Sequence, residues 1–245
     1  MRQEIYLPDF QGEDKNFINA GNIFNTNRFH CLIVSTFVPM NEKLDHLLKQ
    51  AGEIFMRYGL KSVTMDDVCR ELGISKKTLY QHVTDKNDLI SKVLDQDIEA
   101  DEKMICALQT SSLSAIDELL HIQKMVTMKV QHMHSSIIYD LKKYYPESWG
   151  RIIKHRNEFI VGCIEQNIEK GQKEGLFRLD INPAVIARIY SSQIEAIIDP
   201  MLFTGLKVNT ATIYAEAMRY HIRGIATEKG LNYLESTQHK PNPEL

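Results

Sequence analysis

The sequence predicts an all-α fold, a set of short N-terminal helices followed by a larger C-terminal helical bundle. Three observations predict it. Apolar residues recur at i, i+3, i+4 and i+7 over most of the segment from 41 to about 230. Helix-favouring Leu, Ile, Lys, Glu, Gln, Met and Ala dominate, whereas the 245 residues hold only 12 Gly and 7 Pro. The breaks in periodicity carry capping residues and short polar turns. With 43% hydrophobic residues the chain can bury a substantial core. A formal net charge of −3 means that any nucleic-acid contact must come from a local patch. Cys31, Cys69, Cys106 and Cys163 lie far apart without a CxxC pair, which reads as reduced thiols and argues against zinc. The longest apolar run, "CLIVSTFVPM" (31–40), is too short to span a bilayer and is a poor signal peptide, so no membrane span and a cytoplasmic location are expected.

Three regions follow. Residues 1–40, rich in Asn and Phe and without helical periodicity, read as a flexible N-terminal extension or as an over-long start ahead of Met40. A dedicated arm, or an apolar cover for a neighbouring helix, is the alternative. Residues 41–90 hold one longer helix and then short, sharply capped ones. Residues 91–245 hold long helices, expected at 86–109, 113–134, 136–144, 147–173, 183–204 and 210–229, with "IDP" (198–200) kinking the helix that contains it and a polar tail at the end.

Within 41–90, "NEKLDHLLKQAGEIFMRYG" places Leu44, Leu47, Leu48, Ala51, Ile54, Phe55 and Tyr58 on one stripe, with Gly59 suited to the C′ position. Thr64 caps a second helix whose first turn holds Asp66 and Asp67, and Gly73 ends it. Ser75 caps a third, and Thr84 or Asp85 a fourth. Val68, Cys69 and Leu72 can meet Leu79 and Val83 across the turn at Gly73, with Ile74 in the corner. That is the packing of a helix-turn-helix. It leaves Lys76, Lys77, Thr78, Gln81 and His82 outside or at the helix N-terminal end. Residues 41–90 hold eight basic and eight acidic residues, yet from Ser75 to Lys86 Asp85 alone stands against three lysines. The positive charge is thus gathered on one edge, where a phosphate backbone is the natural anion. The plainer alternative is a helical corner with solvated lysines.

The stretch "FMRYGLKSVTMDDVCRELGISKKTLYQHVTDKNDLI" resembles the N-terminal DNA-binding segment of the TetR (tetracycline-repressor-like) family of bacterial transcriptional regulators. The resemblance rests on the aromatic-x-x-x-Gly end of the first helix, Thr64, Leu-Gly-Ile-Ser, Lys-x-Thr-Leu-Tyr and Asp-Lys-x-x-Leu. It covers about fifty residues densely and the remainder only in architecture. It implies that the third helix enters the major groove while Thr64, Tyr80 and Lys86 mainly bind phosphates. The candidate DNA-contacting set is therefore Thr64, Ser75, Lys76, Lys77, Thr78, Tyr80, Gln81, His82 and Lys86. Cys69 and Val83 stand where the family usually has Ala and Phe, which leaves the packing apolar. Lys77 replaces an often small residue.

The same resemblance implies that the C-terminal helices hold an effector cavity and a homodimer interface. Met104, Met125, Met128, Tyr139, Trp149 and Phe159 are candidates for the cavity, since methionine adapts to irregular apolar shapes, although each also reads as ordinary core. Two late helices, "NPAVIARIYSSQIEAIIDPMLF" and "TATIYAEAMRYHIRGIAT", are apolar on more than one face, with Ile194, Ile198, Met201, Tyr214, Met218 and His221 as candidate interface residues. His132 and His134, two apart on a helix, point in different directions, so no metal is expected, nor is any cofactor. No catalytic motif stands out. The expected function is a ligand-responsive, dimeric regulator, of the repressor kind, that binds a palindromic double-stranded DNA operator and is released by an unidentified small-molecule effector. The alternative is a helical interaction module that binds an acidic protein surface without binding DNA.

Overall fold

The computed structural model describes residues 42–197, 202, 203 and 205–238. Residues 1–40, the expected kink at 198–200 and the last seven residues lie outside that set. Among the described residues the regular structure is helical, apart from one isolated antiparallel bridge between Phe177 and Ala226.

Helix α1 (Glu42–Tyr58) turns Leu47, Leu48, Ala51 and Phe55 inward. Gly59 ends it with φ of 85°, a left-handed conformation that side chains resist. A Cβ there would also lie 2.7 Å from Ser136 Oγ, so this turn is in close contact with the segment preceding α6. Helices α2 (Met65–Leu72) and α3 (Lys76–Leu79) form the corner. Thr64 and Asp67 make a reciprocal capping box at the start of α2, and Gly73, with φ of 64°, closes it. Ser75 Oγ accepts the Thr78 N–H at 3.1 Å to start α3. Helix α4 (Lys86–Gln109), capped by Asp85, is 24 residues long, or about 36 Å at the usual helical rise. Its first turns bury Leu89 and Ile90 in the core of the corner.

The remaining elements are α5 (Ala115–Gln131), α6 (Ile137–Tyr144), α7 (Pro146–His155), α8 (Val161–Lys173), α9 (Pro183–Ile197), α10 (Thr210–Ile225) and α11 (Glu228–Gln238). The helix expected over 147–173 is interrupted at Arg156–Ile160 by a turn of π-helix that joins α7 to α8. A helix expected to run from 210 to 229 breaks instead at Ala226, whose extended backbone (ψ 146°) lets the chain pair with the 176–178 segment. There the Arg178 N–H donates to the Ile225 carbonyl (2.8 Å) and the Thr227 N–H to that of Leu176 (2.9 Å).

Two hydrophobic cores result. One gathers α1, α2, α3 and the start of α4 with Ile137 and Leu141 of α6. The other joins α5, α8, α9, α10 and α11 around Ile116, Ile168, Phe177, Met218 and Ile222. A buried charge pair ties α5 to α8: Glu118 accepts from Lys170 Nζ at 2.5 Å and from Asn167 Nδ2 at 2.7 Å. Satisfying each lone pair matters here, because an uncompensated buried carboxylate costs several kcal/mol.

This second core corrects the expected subunit interface. Tyr214, Met218 and His221 are turned inward, each less than 8% exposed, so they pack within their own chain. Their spacing along α10 matches the buried stripe, and the outward positions are Thr212, Glu216, Arg219, Tyr220 and Arg223. Ile194 is half-buried against the same core, and Ile198 and Met201 lie outside the described residues.

His221 stacks on Tyr190 with ring centroids 4.0 Å apart, and its Nε2 has no hydrogen-bond partner among the described residues. Burial pushes the imidazole down to about 4. Because this lies below the unfolded value of 6.5, the unfolded chain binds the extra proton between those two pH values. Stability therefore falls as pH drops from 6.5 toward 4, by up to about 3 kcal/mol at roughly 1.4 kcal/mol per unit. Denaturant titrations at pH 7.5 and pH 5 should show the wild type losing about 2 kcal/mol more than His221→Phe over that interval. Equal losses would mean that the imidazole is not held neutral.

Candidate nucleic-acid interface

The corner positions its outer side chains by burying its inner ones. Val68, Leu79 and Val83 are at most 2% exposed, and Cys69 is also buried. Leu72 and Ile74 pack against them. Helix α3 is only one turn long, and the chain then continues in tight turns: the Gln81 N–H reaches the Thr78 carbonyl and the His82 N–H that of Leu79. Ser75, Lys76, Lys77, Thr78, Tyr80 and Gln81 are all exposed on one side of that turn, with Thr64 exposed at the head of α2. His82 and Lys86 are half-buried.

Not all of these groups are equally available. Lys76 Nζ lies 2.7 Å from Asp66 Oδ1, an exposed pair in which the carboxylate's hydrogen bond and charge raise the lysine pKa. Lys77 is in no ion pair among the described residues. The Thr64 hydroxyl donates to Asp67 Oδ2 at 2.6 Å while accepting the Asp67 N–H. Hydrogen bonds from the Thr64 side chain and backbone and from Arg70 hold the Asp67 carboxyl at about 2. That capping box therefore keeps its charge at all but strongly acidic pH. Lys86 Nζ donates to the Lys61 carbonyl at 3.3 Å, and burial lowers its pKa.

The turn between α1 and α2 is in turn held by α6, a connection the sequence does not display. The Lys61 N–H donates to Asp140 Oδ2 (3.1 Å), which also accepts from Ser136 Oγ (3.0 Å). The His134 N–H donates to the carbonyl of Met56 at 2.7 Å. Asp140 is 4% exposed, so its carboxylate exists to bind these donors and not to meet solvent. Neither Lys61 nor Asp140 carries a signal in one dimension, since they are 79 residues apart.

A half-open, mainly apolar cleft of about 1240 Å³ lies between α1, α4 and the α5–α6 region. Its walls include Gly52, Phe55, Ile90, Val93, Ala100 and Met128. Of the six residues expected to line a cavity, Met128 alone borders it. Met104, Met125 and Phe159 are half-buried away from it. Trp149 packs on the first core, and Tyr139 stands 53% exposed. Tyr139 is turned outward by the register of α6, whose inward positions are filled by Ile137, Asp140 and Leu141. At the cleft's edge Lys129 bonds Asp97 (2.6 Å) and Asp101 (2.9 Å). Burial draws the Lys129 pKa down, but the two carboxylates more than offset it.

An all-α chain whose short corner buries one face and offers Lys, Thr, Tyr and Gln on the other has the form of a DNA-binding helix-turn-helix protein. Residues 47–93 match the family described as bacterial regulatory proteins, tetR family. The chain is 26% identical over 159 residues to the uncharacterized HTH-type transcriptional regulator YvaF of Bacillus subtilis, covering 63% of this chain and 76% of that one. It is 23% identical over 188 residues to the HTH-type transcriptional regulator UidR of Escherichia coli, covering 74% and 91%. Among solved structures, reduced E. coli NemR superposes with a TM-score of 0.61 at 13% identity, over 76% of this chain and 98% of that one. A TetR-family regulator from Agrobacterium tumefaciens superposes with a TM-score of 0.59 at 17% identity, over the same shares. Residues 47–93 thus match the DNA-binding segment of the tetR family, and the relatives matched over most of their length are HTH-type transcriptional regulators, which supports a DNA-binding regulator.

Leu79, fully buried, is the residue that fastens α3 to the rest. Leu79→Ala should cost about 2–5 kcal/mol by the usual toll of a core cavity. Because the second core does not contain it, circular dichroism should retain most helix while DNA binding in a gel shift is lost.

Proposed function

We propose that the protein acts as a homodimeric repressor that binds a palindromic operator and is released by a small-molecule effector. The observation that carries the reading is the exposed, acid-poor edge from Ser75 to Gln81, set over a buried inner face. In this reading α3 enters the major groove, Lys77, Thr78 and Gln81 face base edges, and Thr64, Tyr80 and Lys86 hold phosphates. Two such corners about 34 Å apart would reach successive grooves on one side of a duplex. The dimer would form through the outward faces of α9 and α10, where Val185, Ile189 and Tyr220 are each at least half exposed. An isologous pairing of that face would cover them.

The effector would enter the cleft beside α1. That site touches the core of the helix-turn-helix directly, since Phe55 and Ile90 belong to both. A molecule that fits one spacing of α1 and α6 better than another must bias the corner's position, and by linkage the operator biases the molecule's affinity equally. An apolar ligand is favoured by the cleft's walls.

A duplex selected from a random pool tests the DNA reading. Binding should weaken steeply with salt and exceed binding to a scrambled duplex. Tyr80→Phe and Lys86→Ala should weaken selected and scrambled duplexes alike, whereas Gln81→Ala should alter base preference at one position of each half-site. If Gln81→Ala left the selected sequence unchanged, α3 would not be the reading element. For the cleft, 1-anilinonaphthalene-8-sulfonate fluorescence serves as a probe. Ala100→Trp, at an exposed wall position, should weaken its binding about tenfold, equivalent to about 1.4 kcal/mol. Unaltered fluorescence would remove the cleft as a ligand site.

A further inference from the structure

A group of lysine and tyrosine side chains on α6 and in the turn before α2 is used neither by the helix-turn-helix nor by either core. Lys61, in the turn before α2, sends Nζ to Tyr144 Oη at 2.8 Å and sits 4.4 Å from the centre of that ring. Lys143 Nζ bonds Tyr139 Oη at 2.7 Å and lies 5.1 Å and 5.4 Å from the ring centres of Tyr139 and Tyr144. The two rings meet edge-on at 6.4 Å. Two ammonium groups from distant parts of the chain thus straddle one tyrosine, and all four side chains are exposed. Asp140, the carboxylate carried by α6 itself, is turned inward onto the Lys61 N–H. Neither Lys61 nor Lys143 is in an ion pair among the described residues.

We propose that Lys61, Lys143, Tyr139 and Tyr144 form a second contact surface for the DNA phosphate backbone, outside the helix-turn-helix. This proposal rests on the chain being a DNA-binding regulator. Three observations favour duplex phosphate over an acidic protein. The surface is continuous with the corner: Lys61 lies three residues before the α2 cap Thr64, and its carbonyl is the acceptor of Lys86 Nζ. The paired Lys–Tyr groups leave hydroxyl and ammonium donors on a rigid aromatic base, which suits singly charged oxygens spaced along a strand. Like charges held near one ring repel until an anion lies between them, and a phosphate supplies it without base specificity. Hydrogen bonding to Tyr139 raises the Lys143 pKa, so the ammonium is present throughout the neutral range. The hydrogen bond from Lys61 lowers that of Tyr144 and polarises its O–H toward donation.

The test compares wild type with Lys61→Gln/Lys143→Gln in gel shifts from about 50 to 200 mM salt, on the selected duplex and on a scrambled one. The double variant should bind both about tenfold more weakly. Its plot of log affinity against log salt should be shallower by about two for each subunit on the duplex, about four for a dimer, since each lost phosphate contact removes roughly 0.9 from the slope. Selectivity between the duplexes should stay at the wild-type ratio. The single variant Lys143→Gln, which leaves the Lys61 turn untouched, should show about half the change in slope and keep the wild-type thermal midpoint. An unchanged slope in the variants would overturn the proposal, as would weaker binding with the slope intact, which marks a packing defect. A wild type that binds neither duplex would instead sink the regulator reading itself.

Discussion

The structure depends on the burial of Val68, Leu79 and Val83 against α1 and the start of α4. Helix α3 spans four residues, far too few to persist in water by their own hydrogen bonds. What keeps it helical is the core beneath it and the Ser75 cap in front of it. Because the inward positions are fixed in this way, the outward ones are fixed as well. Lys77, Thr78 and Gln81 are presented from a backbone the core already fixes, so what remains to be ordered there is their side chains.

That core is not closed within the first fifty residues. Ile137 and Leu141 of α6 complete it, and the Asp140 carboxylate grips the backbone of the turn that leads into α2. Helix α4 begins under the corner and ends about 36 Å away in the C-terminal half. The DNA-binding corner is therefore connected to the rest of the chain by apolar packing, by hydrogen bonds and by one continuous helix. Packed contacts of this kind shift between discrete arrangements instead of deforming smoothly. The cleft opens directly onto Phe55 and Ile90, which belong to the core of the corner.

Charge follows a local logic. The chain as a whole is acidic, with a formal net charge of −3, so its attraction to DNA cannot come from its overall field. Pairing refines the patch further: Asp66 occupies Lys76, while Lys77, Lys61 and Lys143 remain outside ion pairs among the described residues. Counting lysines in the sequence would weight these four equally. Their surroundings do not.

The sequence by itself determined the helical class, the corner and its caps. Those features are set by neighbours within four residues: the Thr64–Asp67 box, Ser75 over α3, and left-handed Gly59 and Gly73. The inner face at Val68, Leu79 and Val83 was equally legible, because its spacing follows from the helical repeat. Tertiary structure decided the rest. Helix α10 is apolar on more than one side, so periodicity could not tell whether Tyr214, Met218 and His221 faced a partner or their own chain; the packing of α5 and α9 placed them inside. The break at Ala226 and the Lys61–Asp140 link likewise arise from groups far apart in the chain. The cleft is a volume left between α1, α4 and the α5–α6 region, and the shape between helices is fixed only when they pack.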